Sequence, residues 1–138
     1  MAPPMKTVIF ACVHNAGRSQ MAAAFFNALA PPGTRAISAG TNPGTRVHPE
    51  VLAVMAEAGI DLTGAVPQKL TPELASGAAM LITMGCGDEC PVLPGVMRDD
   101  WPLEDPKGRP VEEVRRIRDD VRRRVERLLS EGGLLRQE

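Results

Sequence analysis

Cys12, Arg18 and Ser19 are the residues of this sequence whose types and spacing suggest chemistry. Cys12 follows an apolar run, five residues separate it from Arg18, and Arg18-Ser19 precede a helical pattern. A helix N-terminus offers unsatisfied N–H donors and partial positive charge, and an arginine adds a planar fork of donors, so both favour an oxyanion. The same positive field favours the thiolate form of a cysteine. The pattern therefore predicts an oxyanion site in which Cys12 is a nucleophile.

We call residues 12–19 the oxyanion loop. A lone cysteine ahead of a helix is often an inert buried side chain, so the prediction depends on the whole C-x5-R-S pattern. The loop is not a nucleotide-binding Walker loop, because the sequence lacks the G-x4-G-K-[ST] pattern. The groups predicted to bind the anion are those of Val13, His14, Asn15, Ala16, Gly17, Arg18 and Ser19.

Length, charge and cysteine content restrict the class of protein. The 138 residues are enough for one domain with one core. A net charge of −1 predicts no general attraction to nucleic acid or to an acidic membrane. The sequence shows neither a long apolar run nor a signal-peptide pattern, so we expect a cytoplasmic protein that engages no membrane and no nucleic acid. Three cysteines, an odd number, favour reactive or metal-binding thiols over a disulfide framework.

Short apolar runs alternate with helical patterns along the chain. This alternation predicts an α/β domain with a parallel sheet and helices on both of its faces. Met21, Phe25 and Leu29 have the spacing of a buried stripe on the first helix. We expect the domain to span 6–130, with a disordered tail at 1–5 and a frayed tail at 131–138. Strands are predicted at 6–11, 35–39, 79–84 and 96–98. Helices are predicted at 19–30 and at 111–129, with a helix between them that begins at Pro49 and stops at Gly59, and a short helix that begins after Thr71.

The last predicted helix has one apolar face and one charged face. Its many arginines leave two interpretations, a basic binding surface or a solvated face of ion pairs. We favour the second, because acidic residues alternate with the arginines. The pairs expected one turn apart are Glu112 with Arg116, Asp119 with Arg123 and Asp120 with Arg124.

Two more thiols follow the third predicted strand. Cys86 and Cys90 are flanked by glycines in a loop at the same sheet edge as Cys12. Such a pair suits thiol exchange better than a buried structural role. A zinc site is the less favoured alternative, because the chain adds only Cys12 and two distant histidines as further ligands.

An acidic segment, Asp99–Pro106, precedes the last helix. A nucleophile that displaces an oxygen from a phosphate-like centre needs a general acid facing it, and one carboxyl of this segment is predicted to serve. The alternative is a solvated turn. His48 is a candidate base as well, although a histidine beside a helix start is more often a polar surface residue.

Three motifs together resemble a known family. The oxyanion loop followed by Gln20-Met21-Ala22, the loop that carries Cys86 and Cys90, and Trp101–Pro106 are similar to the thioredoxin-coupled arsenate reductases built on the low-molecular-weight tyrosine phosphatase scaffold. The resemblance extends from Lys6 to about Leu129. It implies a single three-layer α/β domain with a four-stranded parallel sheet flanked by helices.

The resemblance also implies a role for each matching residue. Cys12 would attack arsenate held by Arg18, while Asp105 protonates the departing oxygen. Cys86 would then attack Cys12 and expel arsenite, and Cys90 would move the disulfide to Cys86–Cys90. An external thiol reductant, thioredoxin or a small thiol such as mycothiol or glutathione, would reduce that pair, and no bound cofactor is implied. Asn15 resembles the asparagine that fixes the anion-binding turn.

The sequence departs from the family pattern at two places. Three residues separate Cys86 from Cys90, fewer than in the better-known members, which leaves the reductant open between thioredoxin and a small thiol. In some members a carboxylate after the Gln-Met pair helps bind potassium. Ala23 and Ala24 are apolar here, so no metal is predicted.

The closest alternative function is that of a low-molecular-weight protein tyrosine phosphatase, which shares the loop, the acid and the fold. Such phosphatases usually carry two tyrosines after the acid-proline step, whereas this chain has Lys107-Gly108 there and no tyrosine. They also need neither Cys86 nor Cys90. A non-catalytic oxyanion sensor is a further alternative, but mere binding requires neither a nucleophile nor an acid.

Overall fold

Strands and helices alternate in the structure, a computed structural model that describes residues 6–85 and 96–131. Each predicted strand and helix is present, with its ends within two residues of the predicted ones, so the α/β prediction is confirmed. None of the described helices is long and apolar enough to cross a bilayer. The strands are β1 (Lys6–Cys12), β2 (Thr34–Gly40), β3 (Met80–Thr83) and β4 (Met97–Asp100), and the helices are α1 (Arg18–Leu29), α2 (Pro49–Glu57), the short α3 (Pro72–Ala75) and α4 (Val111–Glu131).

The four strands form one parallel sheet in the order β2-β1-β3-β4. Cys12 at the end of β1 is paired in register with Gly40 of β2, and Ala11 is paired with Thr83 of β3. The carboxyl ends of the three strands therefore meet at one edge of the sheet. This is the edge at which parallel α/β sheets bind ligands.

β1 is covered on both faces, which explains its continuous apolar sequence. Val8 and Phe10 belong to the larger core, which α1, α2 and α4 close. Ile9 and Ala11 point to the other face and join a smaller core that includes Ala75 of α3. The domain thus has the predicted three layers, with the sheet between two helical layers.

The expected apolar stripe of α1 is wrong at one position. Met21 and Phe25 are buried as predicted, but the side chain of Leu29 is 44% exposed. The buried part of α1 instead runs almost all around its first two turns, because the helix N-terminus lies under the loops at the sheet edge. Leu29 is the last residue of the helix, beyond the core.

The charged face of α4 forms ion pairs, but only one of the three expected pairs is present. Asp120 accepts a hydrogen bond from Arg124 at 3.2 Å. Arg123 also turns to Asp120, at 3.8 Å, and Arg116 pairs with Glu104 outside the helix at 3.7 Å. A long arginine side chain reaches carboxylates on neighbouring elements as easily as those on its own helix, and sequence spacing does not reveal the neighbours.

Glu57 connects α2 to α4. Its carboxylate accepts hydrogen bonds from Arg115 at 2.7 Å and from Arg118 at 3.0 Å. Arg118 also donates to the carbonyl of Val54 at 2.8 Å. The hydrogen bond from Arg115 is the largest cause that lowers the pKa of Glu57 below its ordinary value of 4.5.

We predict that Glu57 contributes an acid-sensitive part of the stability. Because its pKa is lower in the folded chain, the contribution is full above 4.5 and is lost as the pH falls through the folded pKa. The difference in free energy of unfolding between wild type and Glu57→Gln should therefore shrink between about pH 7 and about pH 3 in urea titrations. Glu126→Gln, which removes a looser pair with Arg122 at 3.8 Å, is the control. A Glu57→Gln difference that is constant with pH would contradict the prediction.

Candidate oxyanion site

The carbonyl groups of the oxyanion loop are hydrogen-bonded by the segment 41–48, which connects β2 to α2. All peptides of the described chain are trans, and in a planar trans peptide the N–H of the next residue points away from the carbonyl. The loop therefore turns N–H groups to the side opposite the segment 41–48. The bonds are Thr41 N to Cys12 O at 3.1 Å, Asn42 N to Val13 O at 2.8 Å, Gly44 N to His14 O at 2.9 Å and His48 N to Ala16 O at 2.9 Å.

The sulfur of Cys12 lies on the side to which these N–H groups turn. The backbone N–H of Asn15 donates to Cys12 Sγ at 3.2 Å. Asn15 has a φ of 53°, a left-handed conformation that asparagine adopts more readily than most residues. The same peptide geometry turns the N–H groups of Val13, His14 and Gly17 away from the segment 41–48. We call this side of the loop, with Cys12 Sγ and the N–H groups that turn toward its side, the cradle.

A second hydrogen bond reaches Cys12 through Ser19. Ser19 Oγ lies 2.9 Å from Cys12 Sγ, and the side-chain amide of Asn15 donates to the same Oγ at 2.7 Å. Because Oγ already accepts from Asn15, its single hydrogen is free to point at the sulfur. Cys12 is 2% exposed, so few water molecules compete with these donors. The arrangement supplies two donors to a thiolate.

Arg18 forms one wall of the cradle and is held from two sides. Its guanidinium donates to the carbonyl of Leu103 at 3.2 Å, and its Nη2 lies 3.9 Å from a carboxylate oxygen of Asp105. The side chain is 8% exposed. Leu103 and Asp105 both follow β4, so the segment after the edge strand positions an arginine at the start of α1.

Among the acidic residues of 99–106, the structure brings Asp105 to the cradle. Asp99 accepts a hydrogen bond from Trp101 Nε1 at 3.3 Å, and Asp100 accepts one from Thr83 at 2.6 Å. Glu104 faces outward to Arg109, at 3.4 Å. The Asp105 side chain is 45% exposed, and its Oδ1 accepts from the backbone N–H of Lys107 at 3.0 Å. The position of Asp105 is thus defined by a turn.

Trp101 and Pro106 fix this acidic segment to the rest of the site. The Trp101 ring is buried against Phe10 of β1, with ring centroids 5.5 Å apart. Pro106 packs on Gly17 so closely that a Cβ at Gly17 would lie 2.8 Å from the proline ring. The acidic segment is therefore held at both of its ends, on either side of Asp105.

His48 lies beside the cradle as the N-terminal cap residue of α2. Burial lowers the pKa of His48 below its ordinary value of 6.5, while the charges of Asp105 and Glu50 act in the opposite direction. Lowering the pKa favours the neutral imidazole at neutral pH. The hypothesis that His48 is a base stays a prediction.

Cys86 and Cys90 fall in the segment 86–95, outside the described residues. Gly85, the last described residue before them, lies against Arg18: a Cβ there would be 2.5 Å from Arg18 Nη1, and its φ is +88°. In the sequence, this glycine is only one of those that flank the two thiols. The structure shows that it makes room for the guanidinium, which no sequence signal indicated.

Gly40 has a similar role at the end of β2. A Cβ at this position would lie 2.5 Å from the carbonyl oxygen of Val13 and 3.0 Å from the backbone nitrogen of Asn15. The oxyanion loop can therefore pass this close to β2 only over a glycine.

Across the described ranges 6–85 and 96–131, no group of three or more histidine, cysteine or acidic side chains is arranged to hold a metal ion.

We predict that Gly85→Ala weakens oxyanion binding through Arg18. Gly77 has a φ of +79° and open space around it, so Gly77→Ala has the same backbone strain without the contact. Both variants should lose stability, but only Gly85→Ala should lose affinity for inorganic phosphate in calorimetric titrations, by about tenfold or more, the effect of weakening a charged hydrogen bond. Equal affinities of the two variants would contradict this role of Gly85.

Comparisons with known proteins identify relatives of this chain. The family described as low molecular weight phosphotyrosine protein phosphatase matches residues 7–137. The glutaredoxin arsenate reductase of Synechocystis sp. is 36% identical over 129 residues, which cover 91% of this chain and 98% of that protein.

Two solved structures superpose on most of this chain. The thioredoxin-dependent arsenate reductase of Corynebacterium glutamicum has a TM-score of 0.81 at 37% identity; the match covers 95% of this chain and 63% of that longer one. An arsenate reductase in the phosphate binding state has a TM-score of 0.79 at 35% identity, covering 92% of this chain and 98% of that one. The chain therefore belongs to the low-molecular-weight phosphotyrosine protein phosphatase family and has arsenate reductases among its relatives.

Proposed function

We propose that this chain reduces arsenate to arsenite, with Cys12 as the nucleophile. The observation that carries the proposal is the buried sulfur of Cys12, which has Asn15 N at 3.2 Å and Ser19 Oγ at 2.9 Å in a cradle that also contains Arg18. Such donors stabilise a thiolate, and the cradle suits a tetrahedral oxyanion. The relatives named arsenate reductases support the choice of arsenate.

The first step is a substitution at arsenic. Cys12 Sγ attacks the arsenic atom of an arsenate held by Arg18 and the N–H groups of the loop. A sulfur–arsenic bond forms, one arsenic–oxygen bond breaks, and the departing hydroxide receives a proton from Asp105 and leaves as water. The distance of 3.9 Å between Asp105 and Arg18 supports this role, because it places the carboxyl at the wall of the cradle.

The second step is the reduction itself. The thiolate of Cys86 attacks Cys12 Sγ, a disulfide forms, and the sulfur–arsenic bond breaks. Its electron pair stays on arsenic, which passes from As(V) to As(III) and leaves as arsenite, while the two sulfurs are oxidised. The contact of Gly85 with Arg18 supports this step, because the described chain reaches the cradle one residue before Cys86.

The third step regenerates the nucleophile. Cys90 attacks Cys86, which releases Cys12 as a thiolate and leaves a Cys86–Cys90 disulfide. An external dithiol then reduces that disulfide. The names of the relatives point to two reductants, thioredoxin for the Corynebacterium protein and glutaredoxin for the Synechocystis protein. We propose thioredoxin here, with mycothiol or glutathione as the alternatives, in the reducing environment of the cytoplasm.

A phosphatase function has weaker support than the reductase. The family and the cradle allow it, since phosphate and arsenate are alike in shape and charge. However, the residues that follow Pro106 are Lys107 and Gly108, both exposed, so this part of the site offers no aromatic wall for an aryl phosphate. A phosphatase would also leave Cys86 and Cys90 without a role.

We predict that the three cysteines fail in different ways. Cys12→Ser should form no arsenite at all. Cys86→Ser should stop after the sulfur–arsenic adduct, and Cys90→Ser should form about one equivalent of arsenite and then stop at a Cys12–Cys86 disulfide. Arsenite is measured by chromatography with elemental mass spectrometry, and the disulfide by peptide mapping. Continued turnover by Cys90→Ser would show that the relay ends at Cys86 and that a small thiol completes it.

We predict that thioredoxin supports multiple turnover. Arsenate-dependent oxidation of NADPH should be fast with thioredoxin and thioredoxin reductase, and slow with the glutathione and mycothiol systems at matched thiol concentration. Hydrolysis of p-nitrophenyl phosphate by wild type and Cys12→Ser is the control for the alternative function. Rapid hydrolysis without any arsenate-dependent NADPH oxidation would favour the phosphatase over the reductase.

A further inference from the structure

Asn15 makes more hydrogen bonds than any other residue of the oxyanion loop. Two of its partners, Gln20 and Gln68, have no part in the proposed reaction. Asn15 is completely buried. The side-chain amide of Gln20 donates to the backbone carbonyl of Asn15 at 3.1 Å and to its Oδ1 at 3.2 Å. The backbone N–H of Gln68 donates to the same Oδ1 at 3.0 Å. Two glutamines thus bind one asparagine.

The bond from Gln68 determines which way the Asn15 amide points. A backbone N–H can only donate, so the atom that faces it must be the oxygen Oδ1. The nitrogen Nδ2 then faces Ser19 and donates to its Oγ at 2.7 Å. Ser19 accepts this bond with one lone pair and keeps its own hydrogen, so that at 2.9 Å from Cys12 Sγ it is the donor whenever Cys12 is a thiolate, which has no hydrogen to give. With Cys12 as a thiolate, every hydrogen bond of the series from Gln68 through Asn15 and Ser19 is donated toward the sulfur.

Gln68 is held in place by its own polar groups. Its side-chain amide donates to the carbonyl of Ser38 in β2 at 2.9 Å. Its backbone carbonyl accepts from Gly40 at 2.9 Å. The side chain of Gln68 lies at the surface, where water can replace its bond to Ser38, whereas Gln20 is 6% exposed and has no such substitute.

We propose that Gln20 and Gln68 form an amide clamp, which we define as the bonds from these two residues to Asn15, and that the clamp keeps Cys12 reactive without a metal cation. The proposal rests on the proposed role of Cys12 as nucleophile. Gln20 and Gln68 are positioning residues, because they act on the sulfur only through Asn15 and Ser19. Gln20 carries the larger share, since it is buried.

Some members of the family that this chain resembles bind potassium with the help of a carboxylate. A potassium ion does not fit the arrangement around Asn15. Potassium needs oxygen ligands with free lone pairs. Both lone pairs of Asn15 Oδ1 already accept hydrogen bonds, and the carbonyl of Ser38 accepts one from Gln68. Ala23 and Ala24 offer no carboxylate. Amide donors therefore occupy both lone pairs of Asn15 Oδ1, the buried side-chain oxygen of the loop.

The test measures the reactivity of Cys12 directly. Iodoacetamide alkylation of full-length protein is followed by mass spectrometry of the peptide that contains Cys12, so that Cys86 and Cys90 do not interfere. At pH about 7, Gln20→Met, which removes the bonds from Gln20 to Asn15, should be alkylated about tenfold more slowly than wild type. Gln68→Met keeps the backbone N–H that bonds Asn15 and loses only the side-chain bond to Ser38 that holds Gln68 in place, so it should be alkylated about threefold more slowly. Alkylation at pH about 9 should restore the rate of both variants, because the thiolate then forms without help.

Lys69→Met is the matched control. Lys69 follows Gln68 and donates to the carbonyl of Thr41, outside the clamp, so its variant should be alkylated like wild type. A variant that merely loosened the fold would expose Cys12 and would be alkylated faster than wild type, whereas the clamp predicts slower alkylation. A rate for Gln20→Met equal to or above that of wild type, or an equal loss in Lys69→Met, would overturn the proposal.

Two further experiments test the clamp independently of cation binding and of the proposed function. Alkylation and arsenate turnover should be the same in potassium chloride and in tetramethylammonium chloride at equal ionic strength, and a specific gain with potassium would overturn the cation-free clamp. Inorganic phosphate should protect Cys12 of the wild type from alkylation. Absence of protection, or arsenate turnover by Cys12→Ser, would remove the proposed function while leaving the alkylation rates to decide the clamp.

Discussion

The hydrogen bonds between the oxyanion loop and the segment 41–48 are the constraint on which the site depends. They fix the carbonyls of the loop on one side, and peptide planarity then turns the N–H groups to the other. A short loop could otherwise satisfy its carbonyls with water and keep no fixed shape. The register that pairs Cys12 with Gly40 brings the two segments together, so the parallel sheet is the origin of the cradle.

The cradle is completed from the other half of the domain. Leu103 and Asp105, which follow the edge strand, hold Arg18 in position, and Gly85 at the end of β3 leaves space for it. Trp101 packs on Phe10 and ties this half to the central strand. The segments that follow β3 and β4 thus both contact one guanidinium, which explains why residues far apart in sequence act at one point.

Substrate binding and reduction place different demands on the same fold. Binding needs a rigid arrangement, which the buried Asn15 and its many bonds provide. Reduction needs further sulfurs to approach Cys12 in turn, a task that the proposed relay assigns to Cys86 and Cys90. The oxyanion loop connects β1 to α1, whereas Cys86 and Cys90 follow β3 in the sequence, so the two demands fall on different segments of the chain.

Most of the fold could be predicted from the sequence, because apolar periodicity and the positions of proline and glycine are local signals. The strands, the helices and the three layers follow from them. Leu29 and two of the three ion pairs of α4 were predicted wrongly, since burial at a helix end and the choice of an arginine's partner depend on neighbours in space.

The sequence by itself determined the chemical groups of the site: a cysteine, an arginine and a serine at fixed spacing, and an acid after the last strand. Tertiary structure alone decided which carboxyl faces the arginine, that Gly85 must lack a side chain, and that Gln20 and Gln68 meet on Asn15. The physical reason is that residue types and local spacing are written along the chain. Contacts between residues 15 and 68, or 18 and 105, exist only after the sheet has aligned its strand ends.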